Sequence, residues 1–136
     1  MTDNEKLVRL LQEKKMTVTA AESCTGGLVA AAITDVAGSS EVFHRGFVTY
    51  CDEAKHEMLG VPQEILQRFT AVSQQTAEAM ARGAAQQAQA DCAVSVTGIA
   101  GPGGGTELQP VGLVYIGFYV KGMVIVEKHL FDGDRR

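Results

Sequence analysis

The sequence predicts an α/β fold, a mixed sheet with helices on both faces and a closing C-terminal β-hairpin, on three observations. Strand-like and helix-like stretches alternate along most of the chain, the pattern of a sheet covered by helices. Two β-branched and aromatic runs, "VGLVYIGFYV" and "MVIVEKHLF", flank Lys121-Gly122, a dipeptide that suits a hairpin turn. With 136 residues, 46% of them hydrophobic and 21% charged, the chain has the size and composition of one folded domain, taken here as 1–136.

The elements follow in order. Thr2 with Glu5 three residues on is a capping-box pattern that opens a helix carrying Leu7, Val8, Leu10 and Leu11. "MTVTA" then reads as a short strand. From Gly27, the residues Leu28, Val29, Ala32, Ile33 and Val36 recur at helical spacing, with Gly38 as the expected stop. "VFHRGFVTY", ending at Tyr50, is a strand by composition. Asp52 is expected to cap a short helix through Leu59, and Pro62 to open another. Over 73–90, Ser73 supplies a cap, and Ala77, Met80, Ala81, Ala84, Ala85 and Ala88 form a stripe so small that the helix should pack close. "CAVSVT", 92–97, alternates Cys92, Val94 and Val96 against Ala93, Ser95 and Thr97, as a central strand does.

Composition excludes several functions. The net charge of −4 comes without any run of Lys or Arg, which argues against a nucleic-acid partner. Cys24, Cys51 and Cys92 lack CxxC spacing, and His44, His56 and His129 are scattered, so neither a metal centre nor a disulfide framework is expected, and no cofactor. The longest apolar run, 111–120, is too short to span a bilayer, and the N-terminus lacks the order of a signal peptide; a cytoplasmic protein without membrane contact is expected.

Ligands of such sheets sit beyond the carboxyl ends of the strands, and three turns qualify. In "TAAESCTGGLVAAAI" Ser23 follows a strand and precedes a helix, where N-terminal N–H groups can stabilise an oxyanion or phosphate. Helix capping by Ser23 or Thr25 explains the same residues, and Cys24 is an alternative nucleophile, but no histidine is motif-linked to it and cysteine is often just a small buried residue. In "TYCDEAK" Lys55 falls near the positive end of a helix dipole, which with partial burial favours the neutral amine of a general base; alternatively it points into water beside Asp52 and Glu53. Tyr50 is either a packed amphipathic side chain or a site donor. "VTGIAGPGGGT" holds Gly98, Gly101 and Gly103 to Gly105, whose backbone can approach an anion closely, but it fits neither phosphate fingerprint and also reads as a surface loop. Together the three turns describe a metal-free acyl-transfer site.

The stretches "TAAESCTGGLVAAAITDVAGSS", "RGFVTYCDEAKHEMLGV", "AVSVTGIAGPGGGTELQPVGLVYIGF" and "FDGDRR" closely resemble the CinA C-terminal domain family, whose characterised members are nicotinamide-nucleotide amidases. The resemblance implies a three-layer α/β/α sandwich, a homo-oligomer, and hydrolysis of the carboxamide of nicotinamide mononucleotide to nicotinate mononucleotide and ammonia in pyridine nucleotide recycling. By motif, Ser23 of "AESCTGG" resembles the family's catalytic serine and Lys55 of "NEAK", here "DEAK", its base; Tyr50 and Thr97 resemble supporting catalytic residues. The implied substrate contacts are Thr25, Gly26, Gly27, Ser39, Ser40, Gly98, Gly101, Gly103 and, for the phosphate, Arg135. Family members continue past "GDR" with an Arg- and Ala-rich helix, which this sequence is expected to lack, ending at Arg136. The rival expectation is accordingly a non-catalytic nucleotide-binding paralogue. Activities of the extra N-terminal domain of larger CinA proteins are not expected here.

Overall fold

The computed structural model describes residues 1–107 and 109–132. In chain order it contains α1 (Asp3–Lys14), β1 (Val18–Glu22), α2 (Leu28–Thr34), a 3-10 turn (Ser39–Glu41), β2 (Phe43–Val48), α3 (Asp52–Leu59), α4 (Gln63–Phe69), α5 (Gln74–Ala88), β3 (Cys92–Gly98), β4 (Leu113–Val120) and β5 (Met123–Leu130). The strands form one sheet in the order β2-β1-β3-β4-β5. β1 is central to the parallel part, pairing with β2 on one side and β3 on the other, while β4 and β5 continue antiparallel as the hairpin. Lys121 and Gly122 both take positive φ, 46° and 94°, which matches the turn to the twist of its strands.

Helices cover both faces, and β1 is therefore buried at every position. On one face Leu59, Val61, Leu66, Met80, Ala84 and Ala85 pack on Ala21 and Ala93. On the other, Val8, Leu11 and Ile33 pack with Val18 and Val42. The two threonines and one serine inside the sheet are accommodated by backbone acceptors: Thr19 Oγ1 donates to Arg45 O at 2.7 Å and Ser95 Oγ to Ala77 O at 2.7 Å, with Thr97 treated below.

The small stripe of α5 allows close packing, as its composition predicts. Ala77, Met80, Ala81, Ala84 and Ala85 are buried, and Gly83 lies so near α3 that a Cβ there would overlap the Leu59 carbonyl oxygen. Ser73 caps this helix by accepting from Thr76 N at 3.1 Å. At the chain start the capping box forms in both directions, Glu5 N donating to Thr2 Oγ1 and Thr2 N to Glu5 Oε1.

Two boundaries differ from expectation. α2 ends at Thr34, and Gly38, with φ of 86°, instead starts the 3-10 turn, because Val36 and Ala37 leave the helix before reaching it. Asp52 is the first residue of α3 rather than its cap; Cys51 holds the extended cap conformation, and Lys55 N already bonds back to Cys51 O. Lys55 is thus a full turn into the helix, and burial is the largest influence on its amine.

Candidate active site

The carboxyl ends of β1, β2 and β3 meet at one edge, on both sides of the strand where the parallel connections reverse direction. β1 closes with Glu22, whose side chain is 1% exposed. Its carboxylate accepts from Thr25 Oγ1 at 2.7 Å, Gly27 N at 3.2 Å, Val29 N at 2.8 Å and Ala30 N at 2.9 Å. The acid replaces a side-chain cap on α2, whose N-cap residue is Gly27. This corrects two sequence readings: neither Ser23 nor Thr25 caps the helix, and the N-terminal N–H groups are consumed by Glu22 rather than offered to a substrate oxyanion.

Ser23 is left to face the other way. Its N–H is tied to Val96 O at 2.9 Å, and its Oγ accepts from Lys55 Nζ at 3.1 Å. Lys55 is 1% exposed and also donates to Thr49 O at 2.9 Å. No carboxylate among the described residues lies within ion-pair distance of this amine. Burial pushes the Lys55 amine below the ordinary lysine value, and the charges of Asp52, Cys51 and Cys24 pull it only part of the way back. Burial acts on the Cys24 thiol in the opposite sense and raises it, so the neighbouring sulfur stays protonated and is the poorer nucleophile.

A cleft of about 300 Å³ opens over this pair, lined by Ser23, Cys24, Tyr50, Asp52, Lys55, Ala71, Val72, Thr97, Gly98 to Gly101, Gly103 and Gly104. Thr97 is 1% exposed, and its hydroxyl donates to Ala71 O at 2.8 Å, which leaves the oxygen with acceptor capacity. Tyr50 is 56% exposed at the rim. The structure thus brings Ser23, Lys55, Tyr50, Thr97, Gly98, Gly101 and Gly103 together.

Other expected contacts do not line the cleft. Thr25, Gly26 and Gly27 are on the far side of the turn, where Thr25 and Gly27 serve Glu22. Ser39 and Ser40 precede β2 and so occupy the opposite end of that strand from Tyr50; Ser39 Oγ bonds to Thr34 O instead. Arg135 lies outside the described residues. Sequence reasoning missed Thr49, which acts through its carbonyl, and Ala71 and Val72, which carry no polar side chain to announce them. Glu22 had a signal, an acid ahead of Gly26-Gly27 at a helix start.

The CinA C-terminal domain model matches residues 2–136. The chain belongs to this family. A Caldicellulosiruptor bescii protein bearing a competence-damage inducible name is 55% identical over 131 residues, covering 96% of this chain and 32% of that protein. A CinA-like protein of Kosmotoga olearia is 53% identical over 96% of this chain and 32% of its own length. The CinA domain described here therefore spans about a third of the curated relatives it matches. Among solved structures, the Agrobacterium tumefaciens competence/damage inducible protein CihA superposes with a TM-score of 0.90 at 48% identity, covering 99% of this chain and 86% of that one. A CinA superfamily protein of Escherichia coli gives 0.93 at 35% identity, covering 99% and 83%. These likenesses confirm the α/β fold of the CinA domain. Among the described residues no helix is long and apolar enough to cross a membrane, and no cluster of His, Cys, Asp and Glu fits a metal ion.

Proposed function

We propose that this CinA domain is an amidohydrolase that converts nicotinamide mononucleotide to nicotinate mononucleotide and ammonia, with Ser23 as nucleophile and Lys55 as base. The observation that carries the reading is a buried lysine amine with no carboxylate partner among the described residues, 3.1 Å from a serine hydroxyl at the floor of a cleft. A lysine kept neutral by burial is a base strong enough to activate a hydroxyl.

The neutral amine keeps one N–H on Thr49 O and turns its lone pair to Ser23, whose proton it takes as Oγ attacks the carboxamide carbon. The negative oxygen of the tetrahedral intermediate is held by backbone N–H groups of the glycine loop, since those of α2 are occupied by Glu22. Thr97 Oγ1, its own proton committed to Ala71 O, accepts from the amide NH₂ and orients the leaving group. Collapse breaks the C–N bond, and protonated Lys55 gives its proton to the departing ammonia. Water then attacks the acyl-serine, losing a proton to Lys55, which returns it to Ser23 as the acid leaves. Site, substrate and NAD recycling role all belong to this proposal, as do a cytoplasmic setting and assembly into a homo-oligomer.

The test is ammonia release from nicotinamide mononucleotide by the purified domain. Steady release coupled to nicotinate mononucleotide formation supports the reading. Thermal protection by the nucleotide without release contradicts it and favours a binding paralogue.

A further inference from the structure

One carboxylate in the cleft has no part in the dyad chemistry. Asp52 is exposed, lines the cleft beside Ser23, Tyr50 and Lys55, and has neither a hydrogen bond nor an ion pair among the described residues. Among the described residues no arginine, histidine or second carboxylate lines the same space. Asp52 is also a poor partner for the base: its charge favours the protonated amine and so works against deprotonated Lys55. The start of α3 does not depend on it, since Glu53 keeps an acid in the first turn.

We propose that Asp52 determines specificity, selecting a carboxamide carried on a positively charged ring over the same carboxamide on a neutral one. This inference rests on the hydrolytic reading above. A carboxamide whose carbon reaches Ser23 brings its ring into the same cleft of about 300 Å³, and the ring of an oxidised nicotinamide nucleotide is a pyridinium cation. Its charge and that of Asp52 then share one small space. Attraction between partly solvated charges at such range amounts to about three- to tenfold in affinity, weakening as salt is added.

The experiment compares wild type with Asp52→Asn, which keeps the side chain's shape and removes its charge. Calorimetry with Ser23→Ala added to both, so that the nucleotide is not consumed during the titration, measures Kd for nicotinamide mononucleotide and for its 1,4-dihydro form, which retains the carboxamide, ribose and phosphate but has a neutral ring. Ammonia release is followed in parallel with Ser23 intact. The proposal expects Asp52→Asn to weaken the oxidised nucleotide about three- to tenfold while the reduced one stays within about twofold. An equal change for both, or none, overturns it. The secondary effect on Lys55 cannot imitate the expected result, because losing Asp52 leaves only Cys51 and Cys24 to raise the amine and shifts it further toward neutral, which by itself favours a cation. An Asp52-dependent preference without ammonia release overturns the hydrolytic reading and sustains charge recognition. Release with a preference indifferent to Asp52 overturns charge recognition alone, and failure to bind either nucleotide overturns both.

Discussion

Lys55 donates from Nζ to the carbonyl oxygen of Thr49, 2.9 Å away and six residues back along the chain, while the same nitrogen lies 3.1 Å from Ser23 Oγ. Two fixed directions on one amine mean that when it is neutral, with one N–H on Thr49, its lone pair can be presented to the serine. Replacing Lys55 by Met should therefore cost about 10³-fold or more in kcat. Lys55→Arg should not rescue, because a guanidinium stays charged and cannot accept the proton. Steady-state assays of both variants check this.

The rate should rise with pH as Lys55 loses its proton, with a midpoint below the ordinary value of 10.5. Asp52 raises that midpoint, so Asp52→Asn should move the rising limb of kcat to lower pH. A limb that stays in place or moves upward contradicts the assignment of the base.

Folding stability should carry the same signature. Because Lys55 is lowered in the fold, the unfolded chain binds more protons between the lowered value and 10.5, and stability rises with pH across that window. The contribution is lost as pH falls toward the folded value. Cys24 and Cys92, both raised above 9.0 by burial, oppose the rise at higher pH. The difference between wild type and Lys55→Met isolates the lysine: urea midpoints measured against pH should rise less steeply in the variant.

Glu22 gathers three backbone N–H groups and a hydroxyl within a space closed to water. Glu22→Ala should destabilise the domain by about 2–4 kcal/mol, as buried donors lose a charged acceptor. Chemical denaturation measures it; a change below about 0.5 kcal/mol, the scale of an ordinary surface substitution, contradicts the account.

Two glycines should behave oppositely on substitution by alanine. At Gly83 the new methyl group meets the Leu59 carbonyl, so a loss of about 1–3 kcal/mol is expected. Among the described residues nothing lies within 4 Å of the place a methyl group would take at Gly103, and Gly103→Ala should leave the thermal midpoint unchanged.

Much of this architecture was legible because local and global signals agree. The capping residues Thr2 and Ser73, the small stripe of α5 and the Lys121-Gly122 turn each fix an element by a short-range rule, and alternation of the elements supplies the layers. Convergence of Ser23, Tyr50, Lys55 and Thr97 followed from strand ends alone. What escaped depended on direction. Which of Glu22 and Ser23 faces α2 is decided by burial on the two sides of β1, and local spacing is blind to it. Asp52 and Cys51 are both admissible at a helix start, and the backbone angles at Cys51 decide between them. Ser39 and Ser40 were assigned by motif, yet they precede β2 while the cleft follows it.

The most direct measurement is kcat for ammonia release by Ser23→Ala, Lys55→Ala and the double variant. Two residues acting as one unit predict that each single substitution abolishes turnover almost as completely as both together. Losses that multiply independently, or turnover that survives in Ser23→Ala, would contradict the dyad.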